Sequence, residues 1–125
     1  MIPQAWQTKL YADSYSLTVM LFQRSKAISR AHRPTIGRGL EESALKILFA
    51  VRAAGVASES IHKHSFCLQA SDSLDRLRII AQISKDLGFF SEAVYFEISE
   101  KSAEIGKQLG GWLKKTQTLA GPHEK

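Results

Sequence analysis

Apolar residues recur at intervals of three and four through long stretches of this sequence, and this periodicity constrains the fold more than any other feature. The clearest seam, near the C-terminus, comprises Val94, Ile98, Ser102, Ile105, Leu109 and Trp112. Residues with this spacing lie along one side of an α-helix. The chain has no Asn-Gly or Asp-Gly hairpin turn and no sustained alternation of polar and apolar residues. The sequence therefore predicts an all-α fold.

Sparse proline and glycine residues divide the chain into helical segments. Pro3 suits a helix start, and the first segment is predicted over about residues 5–30. Pro34 should end it, because proline disfavours a helical conformation at the preceding Arg33. Glu41 and Glu42 suit the first turn of a second helix, where the helix dipole favours anions.

Three further signals place the remaining helix ends. Lys63 and His64 are cations that suit the last turn of the second helix. Ser65 is a plausible N-cap for the third helix, and Gly88 suits its C-terminal cap. Ser91, followed by an acidic residue, is predicted to open the fourth helix.

Length sets the domain organisation. A chain of 125 residues and 13.9 kDa has the size of one domain, and 44% hydrophobic residues are enough for a core. Four helices with short connections pack most simply as an antiparallel up-down-up-down four-helix bundle. We assign residues 1–117 to this domain and predict that 118–125 form a flexible C-terminal tail.

Cellular location is predicted from what the sequence lacks. Cys67 is the only cysteine, so no internal disulfide can form. No N-terminal stretch has the pattern of a signal peptide. The longest dense apolar stretch, residues 17–22, is far shorter than the ~20 residues that span a bilayer. We expect a cytoplasmic protein that does not enter a membrane.

Catalytic and metal-binding constellations are weak. Glu59 and His62 have the i, i+3 spacing of a di-iron bundle ligand pair, but such a bundle needs a second pair and two further glutamates. A solvated helix end explains these two residues better. Cys67 lies in the apolar register of the third helix, which indicates a buried thiol rather than a nucleophile. We therefore predict no enzymatic activity, no cofactor and no metal.

Positive charge is concentrated in one segment. The net charge is +5, and no acidic residue lies between Asp13 and Glu41. That window holds the whole surplus, namely Arg24, Lys26, Arg30, Arg33 and Arg38. No Phe, Tyr or Trp lies between Arg24 and Arg38 to stack on bases, so attraction to backbone phosphates or to an acidic protein surface fits best. A helix C-terminus that complements its own dipole would explain one or two of the five.

The fourth helical segment contains glycines at unusual positions. Gly106 and Gly110 are four residues apart, and each costs about 1 kcal/mol of helix propensity. By removing side chains from one face, they would allow close approach of another helix, within the bundle or between subunits.

Four runs of residues resemble one known family. They read RAHRPTIGRGLE over 30–41, LDRLR over 74–78, KDLG over 85–88 and EIGKQLGGWLK over 104–114. Over roughly residues 24–115 the chain resembles the accessory variability determinant (Avd) proteins of diversity-generating retroelements. That family is related to the four-helix-bundle proteins of ribosomal-RNA intervening sequences. The chain departs from the family at Ser29, where a proline is usual, and at Gln82, where some members have arginine.

The resemblance implies a basic, non-catalytic bundle that forms a homopentamer. It also implies that the protein binds a reverse transcriptase and its template RNA or cDNA and so supports mutagenic retrohoming. The family's motif positions match Arg30, Arg33, Gly37, Arg38, Arg78, Gly106, Gly110, Gly111 and Trp112. Of these, the arginines are predicted to bind nucleic acid or a partner, together with Arg24 and Lys26, and Gly106, Gly110 and Trp112 to serve packing or oligomerisation. The alternative is a protein-interaction module of the intervening-sequence type with an unknown partner.

Overall fold

The computed structural model describes residues 8–120, with side chains described for 8–117. It contains four α-helices, α1 (Lys9–Arg24), α2 (Arg38–Val56), α3 (Ser60–Asp86) and α4 (Glu92–Ala120). Two 3-10 turns, Ser25–Ala27 and Arg30–His32, and a π-helical turn, Arg33–Gly37, connect α1 to α2. The described residues include no β-strand. The predicted all-α fold is confirmed.

Each helix packs against its neighbours in the chain, and α1 also packs against α4. Each helix contributes a side chain with no measurable exposure to the shared core: Leu21, Leu40, Leu77 and Ile105. The contact between α2 and α3 is the most extensive, and that between α1 and α4 is the least. None of the helices among residues 8–120 is long and apolar enough to span a membrane.

The first helix ends earlier than predicted. α1 stops at Arg24, where the chain tightens into a 3-10 turn. Ile28 then adopts an extended backbone, and its side chain enters the core with 1% exposure. The expectation about Arg33 is wrong, because its backbone is helical (φ −63°, ψ −38°). Pro34 lies at the start of the π-helical turn, where its missing N–H would have no intrahelical partner.

The junction between α2 and α3 also differs from the prediction. α2 ends at Val56, and α3 begins at Ser60, so Lys63 and His64 lie in α3 and Ser65 is not its N-cap. Lys63 nevertheless stabilises the end of α2, because its Nζ donates to the carbonyl oxygen of Ala54 at 2.7 Å. The predicted cation therefore reaches the α2 C-terminus from the following helix.

The turn between α3 and α4 has the predicted caps. Gly88 adopts φ +84°, and the Phe89 N–H donates to the Ser84 carbonyl at 2.9 Å, as in a Schellman motif. At the start of α4, the Ser91 Oγ accepts a hydrogen bond from the Val94 N–H at 3.1 Å. Both caps act within a few residues, which is why the sequence alone predicted them.

The ends of the chain lie largely outside the described residues. α4 continues to Ala120, three residues past the predicted domain end at 117. The rest of the predicted tail, 121–125, and Pro3 fall outside the described residues. α1 begins at Lys9 with Thr8 as its N-cap, later than the predicted start at about residue 5.

Candidate nucleic-acid interface

The basic window forms the connection between α1 and α2. Its five cations lie at the end of α1, in the three short turns, and at the start of α2, and all five side chains are exposed. We call the segment from Arg24 to Arg38 the basic turn. Two residues within the basic turn, Ile28 and Gly37, are buried and anchor it to the bundle, while its charged side chains lie at the surface.

Two contacts fix the shape of the basic turn. The Arg33 guanidinium donates to the carbonyl oxygens of Lys26 and Ile28 at 3.1 and 3.3 Å, which closes the turn on itself. A Cβ placed on Gly37 would lie 3.2 Å from the Arg33 Cγ and 3.8 Å from the Ile28 Cδ1. Arg33 therefore has a structural role in addition to its charge.

A ring contact joins the basic turn to the turn between α3 and α4. The His32 and Phe89 ring centroids are 5.3 Å apart, and the Ser29 Oγ lies 3.0 Å from the His32 Nδ1. A second contact joins the basic turn to α2, where the Ser25 Oγ donates to the Glu41 carboxylate at 2.6 Å. These contacts hold the basic turn against its neighbours.

Two acidic residues outside the basic turn neutralise part of its charge. Arg24 forms an ion pair with Glu97 of α4 at 3.2 Å. Arg38 pairs with Glu42, four residues later in α2, at 3.5 Å. These exposed pairs stabilise the fold by less than about 1 kcal/mol each, but they reduce the positive potential of the arginines.

Lys26 and Arg30 remain available. Neither side chain has a hydrogen-bond or ion-pair partner among the described residues. Both lie in the 3-10 turns between α1 and α2 and are exposed. Of the five predicted cations, these two are the strongest candidates for contact with an anionic partner. Arg24 and Arg38, at the two ends of the basic turn, are already paired with glutamates.

Arg78 does not join the basic turn. It lies midway along α3, where its Nη2 donates to the Ser102 carbonyl oxygen of α4 at 2.9 Å. A Cβ on Gly106 would lie 3.0 Å from that same Nη2. The absence of a side chain at Gly106 therefore gives the guanidinium room to reach the α4 backbone. Arg78 contacts α4 while it remains exposed, and its role in binding a partner stays a prediction.

The remaining predicted packing residues have different surroundings. A Cβ on Gly110 would meet no described atom within 4 Å, so Gly110 supports no close helix contact within the described part of the bundle. Trp112 is partly buried against the core, and the Lys63 Nζ lies 5.5 Å from its ring centroid. A role of Gly110 between subunits stays a prediction.

The other candidate residues have no arrangement suited to catalysis. The His62 Nδ1 lies 3.8 Å from the Glu59 Oε1, and both side chains are mostly exposed. Among residues 8–120, no cluster of three metal-ligating side chains occurs. Cys67 is buried, and burial raises the pKa of its thiol to about 11, although Lys63 acts in the opposite direction. A protonated thiol at neutral pH is a poor nucleophile.

Sequence reasoning did not identify the partners that α4 supplies. Glu97 and Ser102 contact Arg24 and Arg78 across 73 and 24 residues of sequence. No local pattern signals such pairs.

Comparison of the chain with protein-family models finds no match, and comparison with curated proteins finds none either.

Proposed function

We propose that this protein is a non-catalytic accessory protein of a diversity-generating retroelement, as its resemblance to the Avd family implies. In this role it binds the reverse transcriptase and the template RNA or cDNA in the cytoplasm. The observation that carries the proposal is the exposed pair Lys26 and Arg30, which have no partner among the described residues and lie in a segment without acidic residues.

The chemistry of the basic turn suits backbone phosphates. Lysine and arginine side chains attract phosphates without reading the base sequence. The basic turn contains no Phe, Tyr or Trp for base stacking. For each phosphate of single-stranded RNA that the protein contacts, the logarithm of the binding constant should fall by about 0.7 for each tenfold rise in salt concentration.

The proposed assembly is a homopentamer with an antiparallel up-down-up-down order of helices in each subunit. Contacts between α3 and α4 support this order, since His64 contacts Thr116 while Lys85 approaches the Tyr95 ring. Five copies would repeat the basic turn around one assembly, which raises the local density of positive charge.

Charge reversal of the two available cations tests RNA binding. The Lys26→Glu/Arg30→Glu variant should lose RNA and polymerase binding and keep its helical circular dichroism. Arg33 is left unchanged because it closes the turn. The matched control, Arg76→Glu/Lys107→Glu, makes the same change in net charge at two exposed positions on α3 and α4.

Three measurements decide the outcome. Fluorescence anisotropy with labelled single-stranded RNA at two salt concentrations should give a reduced affinity and a reduced salt dependence for the first variant only. Co-purification with a co-expressed reverse transcriptase of a diversity-generating retroelement reports binding of the polymerase. Equal binding by both variants and the unmodified protein would reject the proposal and favour the interaction-module alternative. Light scattering tests the pentamer, and a mass near 13.9 kDa would contradict it.

A further inference from the structure

The outward side of α1 is apolar. Tyr15, Val19 and Phe22 are 53%, 41% and 39% exposed. Their spacing of four and three residues aligns them along one side of the helix. Core residues of the same helix, such as Leu17 and Leu21, are nearly fully buried on the opposite side. We call Tyr15, Val19 and Phe22 the α1 stripe.

The α1 stripe lacks the charges that normally cover a surface helix. Between Asp13 and Arg24 the sequence of α1 contains no charged residue. Helices at the surface of a domain ordinarily present charged and polar residues to water opposite their buried face. A contiguous exposed apolar stripe with polar borders is typical of a surface that another molecule covers.

Cations border the stripe on the side of α4 and at the end of α1. A groove of about 460 Å³ between α1 and α4 includes Tyr15, Val19, Arg24 and Lys101 in its lining. The Lys101 Nζ lies 3.4 Å from the Ser16 Oγ.

Two carboxylates near the stripe are engaged, and a third, Glu100, lines a groove together with Lys101 and Asp13. Glu97, which lines the same groove, is paired with Arg24. At the other end, Asp13 accepts hydrogen bonds from Lys9 and Gln108 at 2.7 Å each.

We propose that the α1 stripe binds an amphipathic helix of a partner protein whose polar margins are acidic. Its apolar side chains would pack on Tyr15, Val19 and Phe22, and its carboxylates would meet Lys26 and Lys101. From Tyr15 to the end of α1 at Arg24 the helix spans about 14 Å at 1.5 Å per residue, the length of between two and three turns of a partner helix. The inference rests on the proposed function, in which the partner helix belongs to the reverse transcriptase.

The pattern favours a helix over a nucleic acid. An RNA strand requires cations along its whole path, because each nucleotide carries a phosphate. Along the α1 stripe, cations occur on one side and at one end only. Paired apolar and charged features of this kind match helix-in-groove recognition.

A synthetic peptide tests the surface directly. The probe is a 15-residue helical peptide with leucines at helical spacing and glutamates on both margins, and its counterpart has lysines in place of glutamates. In fluorescence anisotropy the acidic peptide should bind the full chain and the basic peptide should not. The Val19→Gln/Phe22→Gln variant should weaken acidic-peptide binding at least about tenfold, as expected when apolar anchors are removed.

The matched control removes exposed apolar side chains elsewhere. Phe49→Gln/Ile79→Gln changes two side chains that are 62% and 61% exposed on α2 and α3. This variant should bind the acidic peptide as the unmodified protein does. Equal losses in both variants, or equal binding of the acidic and basic peptides, would overturn the inference.

RNA binding and self-association separate this inference from the proposed function. Val19→Gln/Phe22→Gln should keep RNA binding, which Lys26→Glu/Arg30→Glu should lose. If the stripe variant loses RNA binding, the stripe is a nucleic-acid surface. If it changes the mass in light scattering, the stripe is a contact between copies of this chain. Either result overturns the inference. If Lys26→Glu/Arg30→Glu keeps RNA binding while the peptide experiments give the expected results, the proposed function is rejected and the inference about the α1 stripe stands.

Discussion

The two glycines Gly106 and Gly110 on α4 allow a matched test of how α3 and α4 pack. A Cβ on Gly106 would lie 3.0 Å from the Arg78 Nη2, whereas a Cβ on Gly110 would meet no described atom within 4 Å. The Gly106→Ala substitution therefore requires the Arg78 Nη2 to shift by a few tenths of an ångström, and we expect this shift to break its 2.9 Å hydrogen bond to the Ser102 carbonyl oxygen. Within the described part of the bundle, Gly110→Ala changes the backbone propensity alone, and an added effect of Gly110→Ala on the mass in light scattering would indicate a subunit contact.

The expected free energies of unfolding follow from these contacts. Gly110→Ala should stabilise the protein by about 1 kcal/mol, the helix propensity that glycine costs. Gly106→Ala has the same gain, offset by about 1 kcal/mol for the lost hydrogen bond, so its net effect should be close to zero. After Arg78→Ala, the nearest remaining neighbour of the new Cβ is the Leu74 Cδ2 at 3.5 Å, an ordinary contact. In that background Gly106→Ala should stabilise by about 1 kcal/mol.

Urea unfolding followed by circular dichroism measures this cycle. All variants are compared at one protein concentration, because the stability of an oligomer depends on it. With a slope of about 2 kcal/mol per molar urea, a change of about 1 kcal/mol moves the midpoint by about 0.5 M. Equal stabilisation by Gly106→Ala and Gly110→Ala, or a coupling energy between Arg78 and Gly106 below about 0.3 kcal/mol, would contradict the proposed contact between these two residues.

Three further predictions concern individual residues. Gly88→Ala should lower the free energy of unfolding by about 1 kcal/mol, since φ is +84° there, and an unchanged melting temperature would contradict the left-handed cap. Burial raises the pKa of Asp13, but hydrogen bonds from Lys9 and Gln108 lower it overall. Ionised Asp13 therefore adds to the free energy of unfolding at pH values above its unfolded pKa of about 3.9. This added stability is lost as the pH falls through the lower pKa of the folded state. Acid titration should accordingly destabilise the unmodified protein more than Asp13→Asn, and parallel curves would contradict this. Cys67, with a thiol pKa of about 11, should react slowly with a disulfide reagent at pH 8 and rapidly in urea, and equal rates would contradict its burial.

The helix ends show which signals in the sequence were sufficient. Gly88 and Ser91 were predicted correctly because each cap is completed by backbone groups within five residues. The end of α1 was placed too late, since Ile28 continues the apolar spacing although its backbone is extended. Periodicity reports which side chains are buried, and a buried side chain in a turn satisfies it equally well.

The candidate site was predicted in part. The sequence located the basic turn, and the five cations there are exposed. The sequence could not show which of these cations are engaged in contacts within the protein. Arg24 is paired with a residue of α4, and Arg33 donates hydrogen bonds to carbonyl oxygens of the basic turn. The α1 stripe was also missed as a surface, since its spacing resembles that of the core-facing residues.

By itself, the sequence determined the helical class, the turn between α3 and α4, and the concentration of positive charge before α2. These properties depend on spacing and capping interactions over a few residues. Only the tertiary structure decided that Lys26 and Arg30 stay unpaired among the described residues, that Arg78 packs on α4, and that one side of α1 remains apolar and exposed. The physical reason is that each of these outcomes depends on which distant helix lies alongside, and the neighbour is chosen by packing of the whole core.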